Sequence, residues 1–139
     1  MIENLIDPLV FLSFFIRVVT GILFFFQGYD KVFNIGIQGV INTVGPSYRA
    51  KGFPAFSVKL VSYLTSWLEL VGGLLLIVGF LTYPAIYLLG IDIIIVIFGM
   101  SILEPVWDMK LVFPRLVLLS VLLLLPEGAD LLSLDHLLF

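Results

Sequence analysis

The chain has no cysteine and a single histidine, His136. The first absence excludes disulfides, thiolate metal sites and dithiol redox chemistry by this chain itself. The second excludes bis-imidazole haem ligation, and no methionine stands as an obvious second ligand. With only Asp135 beside it, His136 lacks the companions of a metal site; no metal is expected, and a solvated side chain is the better account. Charge is scarce as well: 12% of the 139 residues are charged and 61% are hydrophobic. A net charge of −3 leaves no basic footprint for nucleic acid. A water-soluble chain of this length could not hide so much apolar surface. Residues 1–139 have room for one domain. The acidic start, without a basic n-region or a small-residue cleavage site, argues against a secretory signal.

Lysine and arginine are absent from 1–8 and 126–139, which carry Glu3, Asp7, Glu127, Asp130 and Asp135. Five of the seven basic residues, Lys31, Arg49, Lys51, Lys59 and Lys110, flank or occupy the 34–56 and 104–110 connections. Four apolar runs lie between: about 9–33, 57–82, 84–103 and 111–125. A span needs roughly 17–25 mainly apolar residues, so the fourth is short, bounded by Pro114 and by Pro126–Gly128. Pro8 suits the first helical turn, and Glu104 with Pro105 closes the third run. Within 34–56, Ile37, Val40, Ile41 and Val44 recur at helical spacing, predicting a short interfacial helix. The expected fold is all-α: a membrane-embedded antiparallel four-helix bundle with that helix between spans one and two. Positive loops stay cytoplasmic, so both termini are expected outside a bacterial or archaeal cytoplasmic membrane.

Each span holds one internal charge: Arg17, Glu69, Asp92 and Arg115. Counting from the outer face, Arg17 and Asp92 fall about 12 Å deep, Glu69 and Arg115 about 16–18 Å. Four unpaired charges would cost about 10–14 kcal/mol on insertion scales, comparable to a whole domain's stability. They must face inward and pair, or line a hydrated cavity; which acid meets which base stays open. Arg17 with Glu69 reads equally as a ligand or proton site and as a buried ion pair fixing helix register. Arg115 can also snorkel toward the interface. Lys31 with Asp30 reads as an orientation anchor. Trp67 is expected to meet lipid, and Tyr83, Tyr87 and Trp107 to form an interfacial belt.

Small residues mark the same faces. Arg17, Gly21, Phe24, Gly28 and Lys31 form one stripe; Ser62, Thr65, Glu69, Gly72 and Gly73 form another, with Gly79 at its edge. Gly99 lies below Asp92. Such glycines let membrane helices approach closely. The ordered set Arg17-x3-Gly21-x6-Gly28-x2-Lys31, Glu69-x2-Gly72-Gly73 with Gly79, and Gly128 followed by Ser133-Leu134-Asp135 resembles the DoxX family of small four-span bacterial and archaeal membrane proteins. One departure is Pro126-Glu127-Gly128, where the family often has Gly-Pro-Gly.

The resemblance implies membrane redox association, with family members acting in quinone-reducing or quinol-oxidising assemblies on sulfur compounds or beside oxidative-stress enzymes. The bundle is also similar to quinone-reducing thiol enzymes, whose chemistry a chain without cysteine cannot carry. The expected role is an accessory subunit of a quinone-linked redox complex rather than a self-sufficient oxidoreductase. Its expected partners are the lipid bilayer and other membrane subunits; a quinone is the one cofactor it could bind, without covalent attachment. Two alternatives stand beside it: a structural or assembly subunit without chemistry, and a small proton-coupled transporter, against which the absence of inverted repeats counts.

Overall fold

The computed structural model describes residues 7–103, 112–126 and 128–138. The expectations on Glu3, Glu104, Pro105, Trp107, Lys110 and Glu127 lie outside the described residues. Helix α1, Pro8–Tyr29, starts where the Asp7 carboxylate accepts the Leu9 N–H at 2.8 Å and Pro8 takes a position whose N–H is not needed. It runs into a π-helical turn, Asp30–Asn34, and stops at Gly36 with φ of 75°. The amphipathic helix α2 spans Ile37–Ala50. Then come α3, Ala55–Val78; α4, Thr82–Leu103; α5, Val112–Leu124; and a short α6, Leu134–Leu138.

Helix α3 ends four residues before the expected Thr82. Gly79 turns left-handed, and the N–H groups of Gly79 and Phe80 both close on the Leu75 carbonyl, at 2.8 and 3.0 Å. Among the described residues, three helices, Pro8–Asn34, Ala55–Val78 and Thr82–Leu103, are long and apolar enough to cross a membrane. The 13 described residues of α5 reach about 20 Å, roughly two-thirds of a hydrocarbon core.

Helices α1, α3, α4 and α5 form a square: α1 and α4 sit at opposite corners, and each packs on α3 and α5. Ile16, Phe24, Leu76, Leu89, Ile93 and Leu119 fill the centre. Large apolar side chains face outward, among them Trp67, which is 45% exposed as its expected lipid contact requires.

Glycines set the α1–α3 distance. A Cβ on Gly21 would lie 2.8 Å from the Gly73 carbonyl oxygen and from Ile77. One on Gly28 would fall onto the backbone of Leu70, and one on Gly73 onto that of Phe25. Gly72 instead receives the Leu89 side chain from α4. Gly99 does not join two bundle helices: it faces the Tyr48 hydroxyl of α2. Backbone atoms cannot rotate away as a side chain can, so Gly73→Ala is expected to cost about 1–3 kcal/mol or more through overpacking. Gly90, with no atom within 4 Å of an added Cβ, is the control. Unfolding in mixed micelles should show a large loss for Gly73→Ala and little change for Gly90→Ala.

Candidate functional site

The interior charges fall into two groups. Arg17 belongs to the end of the bundle where α1 begins and α6 lies. Its Nη1 donates to the Leu76 and Ile77 carbonyls, at 2.8 and 3.5 Å, on the last turn of α3. Its Nη2 donates to Leu132 O at 2.8 Å, and Nε stands 3.4 Å from Asp130 Oδ1. A cation at a helix C-terminus offsets the carbonyl ends of the dipole. The guanidinium occupies the space a Cβ on Gly79 would need, so this glycine serves both the left-handed turn and the arginine. Arg17 is 1% exposed.

Asp135 does the converse for the next helix. Its Oδ1 and Oδ2 accept the N–H groups of Leu81 and Thr82, both at 2.8 Å, while its own N–H reaches Gly79 O at 3.0 Å. This holds Leu81 at φ of 49°, a left-handed conformation that costs about 1–2 kcal/mol. Ser133 caps α6 by accepting the His136 N–H at 3.2 Å.

The second group lies in the half of the bundle nearer the 34–56 connection. Glu69 does not meet Arg17. Lys31 Nζ stands 2.8 and 2.7 Å from its two carboxylate oxygens, and Gln27 Nε2 donates to Oε1 at 3.1 Å. Glu69 and Asp92 are each 1% exposed. Arg115 acts electrostatically on both carboxylates, and its guanidinium lies over the Phe24 ring at 5.8 Å. Among the described residues, neither Asp92 oxygen accepts a hydrogen bond. Lys31, Arg115, Glu69 and Asp92 thus form a cluster of zero formal charge, with Lys31 in the place the depth count gave Arg17.

The reason lies in helix register and side-chain direction. Gly21 meets Gly73 and Ile77, and Gly28 meets Glu69 and Leu70. Lys31 therefore sits beside Glu69, roughly 20 Å along α1 from Arg17. Side chains also lean toward the N-terminus of their own helix. In antiparallel α1 and α3 that sends Arg17 and Glu69 in opposite directions.

A cavity of about 590 Å³ adjoins the second group. Gln27, Lys31, Arg115 and Thr65 line it among the deep residues, while Val58, Val96, Met100 and Leu103 supply apolar walls. Helix α2 covers one side with Val40, Val44, Ser47 and Tyr48. Its rim includes Val61 and Phe98, 41% and 65% exposed. Both lie well inside their spans, so the cavity opens on the flank that faces lipid. It is an amphipathic slot with hydrogen-bond donors at depth and hydrocarbon along its length.

The sequence profile of the DoxX family matches residues 12–102. The chain belongs to the DoxX family. A Bacillus subtilis (strain 168) protein described as "Putative oxidoreductase CatD" is 31% identical over 124 residues, which cover 89% of this chain and 84% of that protein. No solved structure matches the chain. The DoxX match takes in Arg17, Lys31, Glu69, Asp92 and the whole of α2. Arg115 and the segment holding Asp130 and Asp135 lie beyond it.

Sequence reasoning placed Lys31 on the correct stripe but gave it the role of an anchor, and it missed Gln27 and Tyr48. Gln27 and Lys31 are four residues apart and bracket Gly28, a usable signal once Gly28 is known to face Glu69. Removing Lys31 leaves a buried carboxylate without its cation, so Lys31→Met is expected to cost about 3–5 kcal/mol. The double variant Lys31→Met, Glu69→Gln should recover most of that loss in the same unfolding assay.

The other end of the bundle titrates. Asp135 keeps its carboxyl below the ordinary value: partial burial works against this, but the Thr82 and Leu81 N–H groups and Arg17 outweigh it. Its contribution is complete above the ordinary carboxyl value near pH 4 and is lost as pH falls through the lower folded value. Asp130 has the opposite sign, since burial raises its carboxyl despite Arg17, so protonation relieves it first. Asp135→Ala should cost about 1–2 kcal/mol at neutral pH and flatten the acid limb of a stability–pH curve below pH 4.

Proposed function

We propose that the protein is a small integral membrane subunit of a quinone-linked redox system, and that its cavity holds the quinone. The observation that carries this reading is the lipid-facing slot whose deep residues include Gln27, Lys31 and Arg115. Quinone carbonyl oxygens accept hydrogen bonds, and all three side chains donate them. A hydrocarbon tail suits the walls of Val58, Val96, Met100 and Leu103, and a molecule dissolved in the bilayer reaches the slot without crossing water. The description of the Bacillus relative as an oxidoreductase fits the same reading.

Bound there, a quinone would supply the electron-carrying chemistry. The chain's own residues hold its head, exclude water along its tail and keep Glu69 and Asp92 buried beside the cations. The short α5 leaves a flank where a neighbouring membrane subunit can complete the bilayer span. The loop end, with exposed Arg49, Lys51 and Lys59, faces the cytoplasm in this reading, and both termini face outward.

The test is equilibrium binding of a decyl-substituted benzoquinone to the protein in nanodiscs, read by native mass spectrometry. One quinone per chain is expected. Val61→Trp, at the exposed rim and remote from the buried charges, should weaken binding about tenfold or more without lowering the melting temperature. No binding by the unaltered protein would overturn the reading.

A further inference from the structure

Tyr48 crosses the cavity. It projects from α2, and its hydroxyl oxygen lies 2.5 Å from where a Cβ on Gly99 of α4 would stand, with Cζ at 3.5 Å. Both residues line the cavity. Gly99 is four residues from Ile95 and four from Leu103, the first and last α4 residues of the lining. At 1.5 Å per residue the contact is about 6 Å from each. The ring is braced by Phe53, edge to face with centroids 6.0 Å apart. An aromatic bar thus stands midway along the α4 wall of the cavity. It reaches across only because position 99 has no side chain.

We propose that Tyr48 and Gly99 are the specificity-determining pair of this cavity, selecting ligands whose polar head continues into a slender, flexible hydrocarbon chain. This rests on the reading of the cavity as a quinone site and adds a restriction that the reading does not contain. A head without a tail occupies only the inner part and never meets the bar. A tail must pass along the Tyr48 ring, where it gains dispersion contact on one side. A wide or rigid tail is refused.

The experiment compares two probes: a dimethoxy-methyl-benzoquinone without a tail, and the same head bearing a decyl chain. Tyr48→Ala removes the wall from the tail. Gly99→Ala puts a methyl group 2.5 Å from the hydroxyl oxygen and drives the phenol, the mobile end of a side chain, into the tail's path. Each variant should lower the ratio of tailed to tail-less affinity about tenfold, or 1.4 kcal/mol, leaving tail-less binding unchanged. Tyr48→Phe keeps the ring and should keep the ratio.

If the unaltered protein binds both probes but neither Tyr48→Ala nor Gly99→Ala changes the ratio, the specificity role is overturned and the cavity stands. If the unaltered protein binds neither, the quinone reading falls and this role falls with it. Should Tyr48→Ala lose the tail-less probe through misfolding, Gly99→Ala decides alone.

Discussion

Close backbone contact between α1 and α3 governs the rest of this molecule. Gly21, Gly28 and Gly73 remove the side chains that would hold the two helices apart, and backbone meeting backbone leaves almost no freedom of register. In lipid, helices gain little from hydrophobic burial against one another, so packing at small residues supplies the attraction. Once the register is set, the polar geometry follows from it. Arg17 arrives at the carbonyl end of α3 and Lys31 arrives at Glu69. A one-residue slide would detach both.

The two polar groups solve one problem by different means. Arg17 spreads its charge over three carbonyls and one carboxylate, an arrangement suited to a planar fork of five donors. It closes one end of the bundle and leaves little room beside it. The other group pairs Glu69 with Lys31, and Lys31 and Arg115 also border a large cavity. Its formal charges sum to zero, yet they are not mutually saturated, since Asp92 has no hydrogen-bond donor among the described residues. The first arrangement is a structural joint; the second has the openness of a binding site.

The bundle was legible because its signals are local. Run length, end punctuation at Pro8 and Pro126, and the spacing of Ile37, Val40, Ile41 and Val44 each report on a few neighbouring residues. The four interior charges were legible as a set, because placing an ion inside a span is costly wherever it occurs. Their partners were not. Pairing depends on stagger between helices and on the lean of side chains, and a depth count from span ends contains neither. Lys31 illustrates the difference: near the end of a run it resembles an interfacial anchor, and only the contact of Gly28 with Leu70 and Glu69 reveals it as an interior cation. Tyr48 was invisible for a related reason, since its importance comes from a glycine 51 residues away.

The joint around Arg17 has a consequence for biogenesis. Its parts come from position 17, from 76–82 and from 130–135, so it draws on the first helix, the middle of the chain and the final segment. During synthesis the four bundle helices can be inserted while this end of the bundle still gapes, with a buried arginine missing two of its ligands and the Leu81 N–H lacking the Asp135 carboxylate. Emergence of residues 130–135 therefore acts as a seal, and a nascent chain that stalls before it presents quality control with an inserted but unlatched protein.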